Sequence, residues 1–275
     1  MTEILTINHL NVTPKNAPNR FLVKDAGFSL SSGKTTCIVG ESGSGKSLTA
    51  LTIMGLLSKQ LQSTGSVVFK GQDITQLDNK SLQSIRGAKI GMIFQEPMTS
   101  LNPVLTVGYQ IGESLTAHLG LKGSGLKLRV ESLLQQVGIP IDRANSYPDE
   151  LSGGQRQRVM IAMSIACEPI LLIADEPTTA LDVTVQAQIL KLLDDLKTRM
   201  NMAMLFITHD FGVVADIADD VIVMFRGEIV ETGSKKQVLE KPQHPYTKAL
   251  LACVPDAEGK KQLKPIDYAW LKQAS

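Results

Sequence analysis

One eight-residue stretch, GESGSGKS at residues 40–47, constrains the fold of this chain more than any other feature. It follows an apolar run, TTCIVG, that is typical of a buried strand, and it precedes KSLTALTIMGLLSK, in which apolar residues recur at helical spacing. The stretch matches the pattern G-x-x-x-x-G-K-[ST] in full. Because a strand, a glycine-rich turn and a helix in this order direct backbone amides and a helix N-terminus at one point, the stretch predicts a phosphate-binding loop.

The residues of this loop have distinct predicted tasks. The backbone amides should surround the phosphates, the Lys46 ammonium should reach the β- and γ-phosphates, and the Ser47 hydroxyl should bind Mg²⁺. The predicted nucleotide contacts are Gly40, Glu41, Ser42, Gly43, Ser44, Gly45, Lys46, Ser47 and Leu48.

Strands and helices alternate along the rest of the chain. Alternating apolar residues predict two N-terminal strands, EILTINHLNV and FLVKDAGFSL, and a strand–turn–strand in TGSVVFKGQDIT that belongs to the same sheet. Helical spacing marks TVGYQIGESLTAHLG, LKLRVESLLQQVGI, GQRQRVMIAMSIAC and VQAQILKLLDDLKTRM, whereas IGMIFQEP, ILLIADEP and AMLFITHD are predicted strands. VIVMFRGEIVETG predicts a hairpin that turns at Arg226 and Gly227. The alternation favours an α/β fold with a parallel sheet.

Composition excludes several classes of protein. With 28 basic and 27 acidic residues the net charge is +1, which gives no electrostatic reason to bind nucleic acid. Cys37, Cys167 and Cys253 are widely spaced, so we expect buried, reduced thiols and no metal site or iron–sulfur cluster. The N-terminus lacks a signal-peptide pattern, and no run approaches the ~18 apolar residues of a membrane span. We expect a cytosolic chain that contacts membranes only through a partner.

Polar residues at the ends of apolar strands are the candidate catalytic groups. Asp175 and Glu176 end ILLIADEP, and we expect Asp175 to bind Mg²⁺ and Glu176 to polarise the attacking water as a general base. Gln95 ends GMIFQ and either reaches Mg²⁺ or the water or makes a structural hydrogen bond. His209 ends LFITH and either contacts the γ-phosphate or is structural.

The order of these motifs, together with LSGGQ at residues 151–155 and TALD at residues 179–182, closely resembles the ATP-binding-cassette (ABC) ATPase family. The resemblance spans residues 40–209 and extends through the flanking strands. It implies a P-loop NTPase (RecA-like) parallel-sheet core, an N-terminal antiparallel β subdomain and an inserted α-helical subdomain at roughly residues 97–160. Residues 1–255 would form a single ABC ATPase domain, and residues 256–275 a C-terminal tail.

The family resemblance also implies why one chain has two turns suited to phosphate, at residues 40–47 and 151–155. Two such domains pack head to tail, so that the LSGGQ turn of one subunit closes on the γ-phosphate bound by the other. This assigns nucleotide contacts to Ser152, Gly153, Gly154 and Gln155, and coupling of the two sites to Asp182. Many members stack adenine on an aromatic residue ahead of the loop; here Phe21 either takes that role or belongs to the core.

The sequences of several segments, among them IADEPTTALDVTVQAQIL and THDFGVVADIADDVIVMFRGEIVE, resemble those of the dipeptide/oligopeptide/nickel import branch. The segment HPYTKALLACVP near the C-terminus does so too. This implies an ATP-hydrolysing subunit at the cytoplasmic face of the inner membrane. Its partners would be a second ATPase subunit, identical or different, two transmembrane permease subunits and, indirectly, an extracytoplasmic solute-binding protein. Peptides are the expected substrate and nickel or metal chelates the alternative. A non-transport ABC ATPase of DNA repair or translation is disfavoured, since the chain has no long coiled coil, one cassette and no basic linker.

Overall fold

A computed structural model describes residues 2–95, 100–179 and 181–253. Its ten strands within these residues are β1 (Glu3–Pro14), β2 (Val23–Ser31), β3 (Thr35–Val39), β4 (Leu61–Phe69), β5 (Gln72–Asp73), β6 (Ile90–Ile93), β7 (Leu171–Asp175), β8 (Ala203–Thr208), β9 (Asp220–Phe225) and β10 (Glu228–Ser234). They form a four-stranded sheet of order β2-β1-β4-β5 and a six-stranded sheet of order β10-β9-β3-β8-β7-β6. As predicted, the strands around TGSVVFKGQDIT join the N-terminal sheet.

Nine α-helices are described: α1 (Lys46–Ile53), α2 (Asn79–Gln83), α3 (Val107–Leu119), α4 (Gly123–Gln136), α5 (Gly153–Ile165), α6 (Val183–Met200), α7 (Phe211–Ile217), α8 (Lys235–Glu240) and α9 (Pro245–Ala252). Two short 3₁₀ turns, Ile141–Asn145 and Pro148–Glu150, lie between α4 and α5. Within the described part of the chain, none of the helices combines the length and apolarity needed to span a bilayer.

The described residues divide into two compact units. One comprises the described parts of Met1–Leu5, Leu30–Gly33 and Val68–Leu205. Its β6 and β7 run parallel with Ile93 opposite Ala174, and every residue of β7 is buried. It also contains α3 and α4, the two helices predicted for the inserted subdomain, and α5, the helix predicted to follow them. The predicted start of that subdomain, near residue 97, lies outside the described residues, so its boundaries stay a prediction.

The other unit comprises the described parts of Thr6–Ser29, Lys34–Val67 and Phe206–Ser275. Its centre is β3, which is buried along its whole length and pairs in parallel with β9. β9 and β10 form the predicted antiparallel hairpin, and a bulge between Ile229 and Glu231 interrupts its register. Cys37 in β3 is buried as predicted, whereas Cys167 and Cys253 are partly exposed. The predicted tail, residues 256–275, lies outside the described residues.

The prediction missed the short helices α2, α7 and α8, and it placed the end of α1 too late. α1 ends at Ile53 and not near Lys59, because Gly55 adopts φ 60° just after the last helical turn and breaks the pattern. The polar region after Gly233 contains α8, which the prediction missed. A capping box explains this helix: the Ser234 hydroxyl accepts from the Gln237 amide, and the Gln237 side chain accepts from the Ser234 amide.

Candidate functional site

The loop at residues 40–47 has the backbone of a phosphate cradle. Gly40, Gly43 and Gly45 all adopt positive φ, at 155°, 79° and 102°. Gly45 is the N-cap of α1, so the loop leads directly into the N-terminus of this helix. The Lys46 ammonium donates hydrogen bonds to the carbonyl oxygens of Gly40 and Glu41, both at 2.8 Å. A positive charge and a helix N-terminus therefore meet in one turn, an arrangement that attracts an anion.

Two glycines of the loop are required by close approach as well as by φ. A Cβ on Gly40 would lie 2.2 Å from the carbonyl oxygen of Met224, at the end of β9. A Cβ on Gly45 would lie 3.0 Å from the carbonyl oxygen of Leu22. The Ser44 hydroxyl is buried and has no hydrogen-bond partner among the described residues, so it remains available as a donor to a ligand oxygen.

A pocket of about 340 Å³ opens beside this loop. Its lining residues are Glu41, Ser42, Gly43, Ser44, Phe225 and Arg226. The Arg226 guanidinium lies 5.1 Å from the centre of the Phe225 ring, within the range of a cation–π contact. Phe225 and Arg226, at the β9–β10 turn, were not anticipated from the sequence, where they read only as parts of a hairpin.

In the other unit, the ends of β6 and β7 bring two predicted catalytic residues together. Gln95 and Glu176 each lie two residues beyond the paired residues Ile93 and Ala174. The Gln95 side-chain amide donates to Glu176 Oε2 at 3.2 Å, and the Thr179 hydroxyl donates to the same oxygen at 2.8 Å. Two donors thus fix the orientation of one carboxylate.

Backbone and burial distinguish the two acidic residues at the end of β7. Asp175 is 5% exposed and closes the strand, as expected for a carboxylate that binds a cation. Glu176 adopts φ 45°, a left-handed conformation that is unfavourable for a residue with a side chain. Backbone conformations of this kind concentrate at functional positions. The prediction missed the role of Thr179, which stands three residues after Glu176, the spacing of a tight turn.

The LSGGQ turn forms the N-terminus of α5. The Ser152 hydroxyl accepts from the Gln155 amide at 3.3 Å, and Gln155 Oε1 accepts from the Ser152 amide at 3.0 Å. This capping box fixes the turn, while Ser152 and Gly153 stay exposed. The turn therefore presents backbone amides at a helix N-terminus to the outside, where an anion can approach.

Asp182 caps the neighbouring helix α6. Its carboxylate accepts a hydrogen bond from the Val185 amide at 2.9 Å. A Cβ on Gly154 would lie 2.8 Å from a methyl group of Val185, so the LSGGQ turn packs against the first turn of α6. Asp182 itself is exposed.

The remaining predicted residues lie in the unit that contains the phosphate loop. His209 is exposed and directly follows β8. Phe21 precedes β2 and is 45% exposed, so it is not part of the buried core. Ser47 is the second residue of α1.

Two protein-family models match this chain, and the first covers the phosphate loop and the LSGGQ turn. The family model described as "ABC transporter" matches residues 23–179, and the model described as "Oligopeptide/dipeptide transporter, C-terminal region" matches residues 230–270. The chain is 53% identical to the peptidoglycan transport ATP-binding protein YejF of Agrobacterium fabrum, over 93% of this chain and 48% of YejF. It is 47% identical to the dipeptide transport ATP-binding protein DppD of Bacillus subtilis, over 97% of this chain and 82% of DppD. The chain thus spans about half the length of YejF and most of DppD.

Solved structures show the same fold. The ATP-binding cassette MJ0796, determined as a dimer in a post-hydrolysis state bound to ADP and Pi, superimposes with a TM-score of 0.75 at 29% identity. The match covers 84% of this chain and 99% of MJ0796. It confirms the P-loop NTPase fold predicted from the sequence. The chain belongs to the ABC transporter family of ATP-binding domains, in the group that carries the oligopeptide/dipeptide transporter C-terminal region.

Proposed function

We propose that this chain binds and hydrolyses ATP as a subunit of a membrane importer of peptides. The observation that carries the proposal is the phosphate cradle of residues 40–47, in which positive-φ glycines, a helix N-terminus and the Lys46 ammonium surround one turn. In this reading the loop amides and Lys46 bind the phosphates, and Phe21 supplies a face for adenine. Ser152, Gly153, Gly154 and Gln155 would complete the site of a second subunit.

Glu176 is the proposed general base of hydrolysis. The hydrogen bonds from Gln95 and Thr179 orient its carboxylate, and a base of fixed orientation can take a proton from an attacking water. Gln95 would also orient that water or bind the metal, and His209 would contact the γ-phosphate. Asp182 would link the two nucleotide sites of a dimer.

Mg²⁺ is the metal that the donor set fits. The candidate ligands are the Ser47 hydroxyl, the Asp175 carboxylate and the Gln95 side-chain oxygen, and hard oxygen donors of this kind suit Mg²⁺. Buried Asp175 supplies the one negative charge that a cation shared with nucleotide phosphates requires. When bound, the ion would neutralise charge that develops on the phosphates.

The transport role follows from the family group. Relatives are named for dipeptide and peptidoglycan transport, and the C-terminal region that matches residues 230–270 is named for oligopeptide and dipeptide transporters. We infer that the chain acts at the cytoplasmic face of the cell membrane with a second ATPase subunit and two permease subunits. ATP would close the ATPase pair, hydrolysis would open it, and a solute-binding protein outside the membrane would deliver the peptide.

The nucleotide half of the proposal is tested by calorimetric titration of the chain with MgADP and MgATP. Wild-type protein should bind both, and Lys46→Ala should lose binding because the loop loses its cation. Lys80→Ala, which removes an exposed lysine of α2, is the matched control and should bind as wild type does. Absence of nucleotide binding by the wild-type chain would contradict the proposal.

The transport half is tested by solubilising membranes gently and identifying every protein that co-purifies with the chain. Two permease subunits are expected, with or without a second ATPase. The reconstituted complex, supplied with its binding protein, should take up dipeptides and oligopeptides in an ATP-dependent manner. Uptake of Ni²⁺ without peptide uptake would contradict the assigned substrate, and recovery of soluble partners alone would contradict the transport role.

A further inference from the structure

A tyrosine from the C-terminal region reaches the phosphate loop. Tyr246, the second residue of α9, is 0% exposed, and its ring packs on Phe225 with centroids 4.2 Å apart. The Tyr246 hydroxyl accepts a hydrogen bond from the backbone amide of Glu41 at 3.1 Å. Glu41 is the second residue of the phosphate loop, so a side chain 205 positions away restrains the loop's backbone.

The β9–β10 hairpin restrains the same loop from a neighbouring point. The Gly227 amide donates to the carbonyl oxygen of Ser44 at 3.1 Å, and Gly40 lies against the carbonyl of Met224. The part of the loop from Gly40 to Ser44 is therefore bounded by Met224 and Gly227 of the hairpin and by Tyr246 of α9. The only side chain among these three contacts is Tyr246, since the others are backbone groups.

Tyr246 is itself fixed by the segment that connects β10 to α9. The Glu231 carboxylate accepts hydrogen bonds from the amides of Gln243 and His244, at 2.7 and 3.0 Å. His244 Nδ1 in turn accepts from the Tyr246 amide at 3.2 Å and caps the helix. These bonds set the position of α9, so the Tyr246 hydroxyl meets the Glu41 amide at a defined place.

We propose that Tyr246 is a positioning residue for nucleotide binding, through which the C-terminal region preorganises the phosphate loop. The inference rests on the proposed function, because it assigns nucleotide to this loop. A loop that is already ordered binds its ligand without a further loss of conformational freedom. The bond to the Glu41 peptide fixes one end of the turn whose later amides and Lys46 meet the phosphates. Without the hydroxyl, that peptide has no acceptor from α9 and the loop samples other conformations.

The test compares Tyr246→Phe with wild type. The substitution keeps the ring that packs on Phe225 and deletes only the hydroxyl, which accepts from the Glu41 amide. We expect the Kd for MgADP and MgATP to rise about 3- to 10-fold, the range of one hydrogen bond, with kcat at saturating ATP changed less than about 2-fold. Tyr109→Phe, the same change at a tyrosine that is 57% exposed on α3, is the matched control and should leave the Kd unchanged.

Hydrogen exchange provides a readout that needs no nucleotide. In the nucleotide-free chain, Tyr246→Phe should accelerate exchange in a peptide that covers residues 40–47 and leave α6 unchanged. Unchanged loop exchange, or unchanged nucleotide affinity in a wild-type protein that binds nucleotide, would overturn the inference. Faster exchange in α6 as well as the loop would show a general loss of stability and would also overturn it. A wild-type chain that binds no nucleotide contradicts the proposed function, a result distinct from these.

Discussion

Glu176 is the residue on which turnover depends if the proposed mechanism is correct. Glu176→Gln keeps the shape of the side chain and an acceptor for Thr179, but it removes the base. We expect ATP turnover to fall at least about 100-fold, within the usual contribution of a general base, while nucleotide affinity stays within about 3-fold. Phosphate release and titration calorimetry measure the two effects.

The matched control for this variant is Glu113→Gln, on the exposed surface of α3. It should retain the turnover of the wild-type chain. A loss of less than about 10-fold in Glu176→Gln, which corresponds to about 1.4 kcal/mol of barrier, would show that Glu176 is not the base.

Phe21 offers a second prediction for a single residue. Its side chain is 45% exposed, and a stacking contact with adenine would contribute about 0.5–1.5 kcal/mol. Phe21→Ala should therefore raise the Kd for ATP about 2- to 10-fold, whereas Phe21→Tyr should bind as wild type does. Equal affinity of the alanine variant for ATP would place adenine elsewhere, and binding of tripolyphosphate should be unaffected in either variant.

For individual residues, the sequence predicts a functional role where the residue's position follows from a local pattern. Asp175 and Glu176 were identifiable because four apolar residues precede them and define a strand end. Lys46 and Ser47 were identifiable because the loop pattern fixes their spacing. The hydrogen bonds of Thr179 and Tyr246 were not, since each depends on backbone geometry that neighbouring residues do not specify.

At the level of helices and strands, the ionisable residue Glu231 holds the connection between β10 and α9 in place. The bulge in β10 interrupts its register just before Glu231, whose carboxylate accepts the amides of Gln243 and His244. Burial acts to raise the pKa of Glu231, but the neighbouring Thr247 hydroxyl, the two amide donors and the His244 ring outweigh burial and hold this pKa below the usual value of a glutamate. The folded state thus favours the charged form.

A lowered pKa in the folded state gives stability that is present above pH 4.5 and is lost as the pH falls through the lowered value. Glu231→Gln cannot ionise, so it should lower the Tm by about 2–4 °C at pH 7 and by progressively less below pH 4.5. Thermal unfolding from pH 7 to pH 3 measures the difference. A constant difference at every pH would contradict an ionised anchor, and Glu113→Gln should show no difference.

Helices and strands were predictable where their apolar pattern is long enough to show its period. The apolar spacing of α3 and α6 and the alternation in β1 were recognised because each pattern extends over several turns or residues. The early end of α1 was missed because Leu56 and Leu57 continue the apolar spacing past Gly55. The short helix α8 was missed because its capping box precedes only six helical residues, too few to show a period.

For the whole molecule, the central prediction is that each nucleotide lies between two subunits. Ser152→Arg places a bulky cation at the exposed turn that would face the partner's nucleotide. In the assembled transporter we expect ATP turnover to fall at least about 10-fold. Ser63→Arg, the same change at an exposed serine of β4, is the matched control and should retain the turnover of the wild-type complex. Full turnover in the arginine variant would contradict the shared site.

The overall fold class was predictable because strand–helix alternation and the loop pattern are both local, and the superposition on MJ0796 confirms it. Contacts between residues that are far apart in the sequence were not predictable. Tyr246 and Glu41 are separated by 205 positions, and no periodicity or motif connects them. The resemblance identified the segment that contains Tyr246 only as typical of the import branch, whereas its contact with the phosphate loop is visible only in three dimensions.

The left-handed backbone of Glu176 has a consequence for how this protein responds to selection. A conformation with φ 45° costs roughly 1–3 kcal/mol for a residue with a side chain, and glycine adopts it without that penalty. A library screened only for thermal tolerance would therefore favour glycine at position 176. If Glu176 is the proposed base, those variants would be stable but inactive, so a stabilised design of this chain would have to keep the glutamate.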